Sequence, residues 1–148
     1  MSAPLYTREI LRLAASIPGQ KSFSEIGHAV AVRSPTCGSR VAMRATLDAA
    51  GRVIGIEQAI EACAFGQAAA ALVGMHSSGT DLDSAKAALT GVERWLDEDV
   101  AEAWPGLSIL DPARRRRGRH GAILLPFRAL VQAIGVAAID KAGEDTRR

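Results

Sequence analysis

The apolar positions along this chain change their period twice. Leu5, Ile10, Leu11, Leu13, Ala14 and Ile17 recur near one helical face and predict an amphipathic helix over 5–17. Pro18-Gly19 stops it. Beyond Ser22 the period falls to two. Val30 and Val32 alternate with Ala29, Ala31 and Arg33, which predicts a strand near 28–34. Ser34 to Ser39 reads as a turn. A second strand follows over 39–48, with Val41, Met43 and Ala45 on one face and Arg40, Arg44 and Thr46 on the other. Asp48-Ala49-Ala50-Gly51 is a hairpin connection. The third strand spans 52–62, with Val53, Gly55, Glu57, Ala59 and Glu61 on one side.

After Cys63 the pattern becomes helical. Phe65 to Met75 is rich in Ala and Leu, and Ser77-Ser78-Gly79 ends it. Thr80 and Asp81 are candidate caps for a helix over Asp83 to Leu89. Gly91 punctuates, and Val92 to Trp104 supplies one or two further turns carrying Asp97, Glu98, Asp99 and Glu102. Pro105-Gly106 breaks the chain. Ser108 to Gly121 reads as a loop with Arg114, Arg115, Arg116, Arg117 and Arg119. Leu124 to Ala138 is a last amphipathic helix, and 143–148 reads as a frayed tail. Three strands with short turns, then helices, give an α+β domain: a three-stranded antiparallel sheet packed by helices. The connections at 34–39 and 48–51 are too short for parallel crossovers. With no interdomain linker or internal repeat, 1–148 is read as a single domain.

Composition narrows the class. Apolar residues are 48% and charged residues 23%, so the chain can bury a core without disulfide staples. A net charge of +2 and 4% aromatics do not suit a nucleic-acid binder. No stretch is read as a membrane span of about 20 apolar residues. The first twenty residues lack a signal peptide's layout. The expectation is a cytoplasmic protein with reduced thiols and no membrane partner.

The candidate chemistry lies in two cysteines. Cys37 falls in the turn before the second strand, and Cys63 falls where the third strand gives way to a helix. Helix N-terminal amides favour a thiolate. The hairpin between them returns the chain toward its origin, so both thiols are expected at one end of the sheet as half of a metal or cluster site. The plainer alternative makes both cysteines small buried hydrophobes. His28 and His76 lack ligand spacing. The Arg114–Arg119 run is read as a solvated basic loop or as a cationic surround for the thiols. Trp95 and Trp104 are expected in the core. The chain carries no hydrolase triad, phosphate loop or dinucleotide fingerprint.

These residues form a recognisable set. Ser34-Pro35-Thr36-Cys37-Gly38, the Asp48 to Val53 hairpin, and Glu61-Ala62-Cys63 leading into an Ala-rich helix resemble the NifU/IscU/SufU family of iron–sulfur cluster scaffolds. Leu125-Pro126-Phe127-Arg128-Ala129-Leu130 resembles that family's last helix, and Gly79-Thr80-Asp81-Leu82 its G-K-S/T-L-E-E turn. The resemblance covers roughly 28–137. It implies a NifU N-terminal-like, SufE/NifU-like fold and an assembly site lined by three cysteines and an aspartate. Cys37 and Cys63 match two of those cysteines. The aspartate position is Ser39, the third cysteine falls on Ala122, and the glycine before the second cysteine is Ala62. His120, two residues before Ala122, is the candidate replacement ligand; otherwise it belongs to the polar Arg loop.

The resemblance implies a scaffold, not an enzyme. It would hold iron and sulfur at Cys37 and Cys63, with His120 as a further metal ligand. The cargo would be a transient [2Fe-2S] cluster, or zinc, or no metal at all. A cysteine desulfurase and apo-protein recipients are the implied partners. Two alternatives stand beside this: a diverged non-enzymatic binding or regulatory relative, and a SufE-like sulfur-transfer protein.

Overall fold

A computed structural model describes residues 6–35, 38–98 and 100–146. The sheet is antiparallel in the order β1-β2-β3: β1 (Val30–Arg33), β2 (Arg40–Leu47) and β3 (Val53–Glu61). Helix α1 (Arg8–Ala15) precedes it. Helices α2 (Ala64–His76), α3 (Leu82–Asp97) and α4 (Arg117–Thr146) follow, with a 3-10 helix over Leu107–Ala113 between the last two. The expected α+β class therefore holds, with all three strands in place.

The sheet is built by alternation. Val41, Met43 and Ala45 are buried on the face that meets the helices. Arg44 on the other face pairs with Glu57 at 2.5 Å, and Arg40 with Glu61 at 2.5 Å. The sides expected for β3 need one correction. A register shift between Thr46 and Leu47 pairs Thr46 with Gly55 and Leu47 with Val53, so Ile54 is an extra residue. This bulge turns Ile54 out to 61% exposure and puts Val53, which is buried, on the core face rather than beside Gly55. The outer face is not bare either. Ala42 and Ala59 pack under Ile26, with Phe23 and Ala29 alongside.

The helices correct several expected boundaries. Thr7 caps α1 by accepting the Ile10 N–H at 3.2 Å, and the helix ends at Ala15, short of Ile17. Asp81 caps α3 by accepting the Ser84 N–H at 2.8 Å. Gly91 does not interrupt α3. It is there for space, since a Cβ would come within 2.4 Å of the Ala103 methyl. Trp95 and Trp104 are buried as expected; the Trp104 indole N–H donates to Leu72 O at 2.9 Å and its ring meets Phe127 edge-on.

The largest correction concerns the expected loop over 108–121. Leu107, Leu110 and Ala113 are fully buried anchors of the 3-10 helix, and α4 begins at Arg117. Helix α4 is also still formed through Thr146, across most of the stretch expected to fray. It is long and apolar enough to cross a membrane by length and composition, which the sequence reading missed. The apolarity has a packing reason: α4 runs beneath β1 and β2 and against α2 and α3, and 56% of its most apolar window is buried.

Candidate thiol site

The site is assembled by the sheet register. Arg33 pairs with Arg40, and the Ser34 N–H donates to Ser39 O at 2.9 Å, closing the β1–β2 turn. Arg40 pairs in turn with Glu61, two residues before Cys63. The turn that carries Cys37 and the start of α2 therefore lie at one end of the sheet. Cys37 itself lies outside the described residues, so its distance to Cys63 is not part of the geometry. Its neighbours are placed: Ser39 is buried at 6% exposure, at the position where the resemblance implies an aspartate.

Cys63 is the N-cap of α2, with an extended backbone (φ −66°, ψ 172°), and its side chain makes no capping bond. Its carbonyl accepts the Gln67 N–H at 2.9 Å, and the Gln67 side-chain amide donates to Ala62 O at 3.1 Å. The first ladder bond of α2 and the Ala62 carbonyl are thus satisfied without the thiol, which stays half-buried and unbridged.

Ala122 packs against the same turn. A Cβ on Gly66 would come within 2.7 Å of the Ala62 methyl, 3.2 Å of Ala122 O and 3.3 Å of the Ala122 methyl. Gly66 is what lets α4 approach α2 this closely. Pro126 has no N–H, so the Ala122 carbonyl loses its donor four residues on, and that carbonyl faces Gly66. Three small residues, Ala62, Gly66 and Ala122, hence frame the base of the turn that Cys63 opens. Sequence reasoning passed over Gly66, although a glycine in an Ala-rich helical run was the available signal.

His120 is placed elsewhere. It lies inside α4 rather than in a loop, and two residues of helix turn it about 200° from Ala122. Its Nε2 lies 2.9 Å from Arg114 O and its Nδ1 3.8 Å from an Asp97 carboxylate oxygen. The ring is 13% exposed and is committed to the junction of α3 with the 3-10 helix. His120 was expected to enter the thiol site; the partners of its ring nitrogens lie at this junction. Among the described residues, no three His, Cys, Asp or Glu side chains converge as metal ligands.

The arginine run divides. Arg114 Nε donates to Trp95 O at 2.9 Å, its terminal nitrogens reach Glu98 O at 2.5 Å and Asp111 at 3.2 Å, and its guanidinium stacks 4.7 Å over Trp95. It pins the end of α3. Arg115, Arg116 and Arg117 are exposed, as the solvated-loop reading expects.

A second residue missed in the sequence is Gln58, fully buried on the core face of β3. Its amide nitrogen donates to Pro18 O at 3.2 Å and Ala70 O at 3.0 Å, bracing the middle of α2 against the sheet.

This architecture is that of a known class of α+β domain. The crystal structure of a nitrogen-fixing NifU-like protein (N-terminal) from Brucella abortus matches with a TM-score of 0.78 and 26% identity, over 90% of this chain and 94% of that one. A protein assigned as the iron–sulfur cluster assembly scaffold for the SUF system of thermophilic Fervidobacterium islandicum AW-1 shares the fold, with a TM-score of 0.71 and 19% identity over 88% and 96% of the two chains. No family model and no curated protein matches the sequence. The chain is a structural relative of the NifU/IscU/SufU-like family, as the cysteine motifs and the Leu125–Leu130 segment imply.

Proposed function

We propose that this chain is a diverged iron–sulfur assembly scaffold, not a catalyst, which holds sulfur and iron at Cys37 and Cys63 and passes them on. The observation that supports it most is Cys63: a half-buried thiol at a helix N-terminus, free of capping duty, at the sheet end shared with the Cys37 turn. The cluster is cargo. Thiolates supply soft ligands to iron, and the helix amides offset their negative charge. Sulfur would come from a cysteine desulfurase and leave toward apo-proteins, and the setting would be a reducing cytoplasm.

Ser39 and Ala122 stand where the family has an aspartate and a third cysteine, so the cargo is held by fewer protein ligands. The reading therefore predicts a labile cluster rather than a resident one. The test is anaerobic reconstitution with ferric iron and sulfide, followed by iron and sulfide analysis and visible absorption. A chromophore that needs both Cys37 and Cys63 supports the scaffold. A colourless protein without iron supports the regulatory alternative; in a parallel incubation with a cysteine desulfurase and cysteine, whose enzyme persulfide donates sulfane sulfur, a persulfide confined to one cysteine supports sulfur transfer.

A further inference from the structure

We infer that the exposed arginines at the start of α4, Arg115, Arg116 and Arg117 together with Arg119, form a docking surface for a short acidic segment of a partner protein. The sequence breaks a local rule there. Helix N-termini favour acids and disfavour cations, because the first amide N–H groups leave partial positive charge. Helices α1 and α3 obey: Thr7 and Asp81 cap them, and Glu9 and Asp83 stand in their first turns. Helix α4 does the reverse. Arg116 directly precedes it and has no acceptor with which to cap. Its first turn holds Arg117, Arg119 and His120 but no acid.

The neighbouring arginines are neutralised, Arg94 by Glu98 and Arg114 by Asp111. Among the described residues, no carboxylate pairs with Arg115, Arg116, Arg117 or Arg119. Four guanidiniums thus crowd one end of one helix, repel one another and oppose its dipole. Gly118 lies among them, and a Cβ placed on it would meet nothing within 4 Å, so the surface there is open. Charges that cost stability and find no counterpart in their own chain point to a counterpart outside it.

The surroundings specify that counterpart. The nearest acids are Asp97 facing His120, Glu98 on Arg94 and Asp111 on Arg114, with side chains 67%, 56% and 65% exposed. A nucleic-acid strand or an anionic membrane would carry its repeating charge across these acids, and 4% aromatics offer no stacking platform for bases. A segment of a few acidic residues avoids that repulsion, and its carboxylates match the guanidinium forks bidentately. Ala122 lies just over one turn, about 7.5 Å, along α4 from Arg117. A docked partner therefore adjoins the thiol end. Its bearing on cargo exchange rests on the scaffold reading; the docking does not, and it is tested without iron.

The test uses the full chain and a capped, dye-labelled hexaglutamate, followed by fluorescence anisotropy. Binding should be saturable at about 50 mM salt and at least about tenfold weaker at about 0.3 M. The combined Arg115→Gln, Arg116→Gln and Arg117→Gln variant should bind at least about tenfold more weakly. Its denaturant midpoint should equal the parent's or rise, because cations have left a helix N-terminus. The combined Arg8→Gln, Arg12→Gln and Lys86→Gln variant removes the same charge from exposed positions elsewhere and should bind as the parent does. No saturable binding, equal binding by the α4 variant, or an equal loss in the Arg8, Arg12 and Lys86 variant would each overturn the proposal. So would a lowered midpoint of the α4 variant, which would return the arginines to the fold. Tighter arginine-dependent binding of a short oligothymidylate or of phosphatidylserine vesicles than of hexaglutamate would overturn it as well, in favour of a different polyanion.

Discussion

His120 and Arg114 meet through a 2.9 Å contact between an imidazole nitrogen and a backbone carbonyl, and this contact holds the start of α4 to the end of the 3-10 helix. It gives His120 a bracing role. His120→Ala should lower stability by about 1 kcal/mol, the usual net value of a partly buried hydrogen bond, while leaving iron retention after reconstitution unchanged. Denaturant unfolding and iron analysis read the two effects separately. A selective loss of iron would return His120 to the ligand set.

Ala122 sits against Gly66 in the turn opened by Cys63. Ala122→Cys should therefore rebuild a third thiolate, and the reconstituted chromophore should outlast the parent's under identical anaerobic conditions. Ala122 is 1% exposed, so the added sulfur should cost on the order of 1 kcal/mol. Cys37→Ala in that background should cancel the gain. A normally folded Ala122→Cys protein that binds no additional iron would mean that the chain keeps the fold without the cluster chemistry.

Gly66→Ala tests the close approach of α2 and α4. The new methyl would meet the Ala62 methyl at 2.7 Å, a distance side chains do not hold. The expected loss is roughly 1–3 kcal/mol by thermal or denaturant unfolding. A neutral result would mean that the two helices separate at no cost.

Acid should weaken the fold through specific carboxylates. Asp48 is held below its ordinary value by backbone N–H groups of the β2–β3 turn, chiefly Arg52, and Asp81 by the Ser84 N–H at the start of α3. Arg44 lowers Glu57 in the same way. Each folded-state pKa lies below the unfolded one, so the contribution is complete above the ordinary carboxylate values and is lost as pH falls through the lowered ones. Stability measured downward from neutral pH should hold until about pH 4.5 and then decline. Asp81→Asn should flatten part of that decline.

The strands were readable because β2 alternates cleanly and short turns leave room only for antiparallel pairing. Cys63 was readable as a helix opener because the period changes at that residue. Three features were not. The bulge at Ile54 is invisible to alternation, since a single inserted residue resembles a continued pattern until Val53 is seen on the core face. The length of α3 was hidden by Gly91, whose reason is the Ala103 methyl, far along the chain. His120 was read as loop because the arginines masked the helix that begins among them.

Pro126 lies between two jobs of one helix. Ahead of it, α4 meets the thiol end through Ala122; behind it, Ala129, Leu130, Ala133 and Ile134 are buried in the core. The missing N–H cuts the hydrogen-bond ladder between the two. A substitution at position 122 therefore acts first on the α2 contact at Gly66, and it does so beside a carbonyl whose i+4 donor is missing.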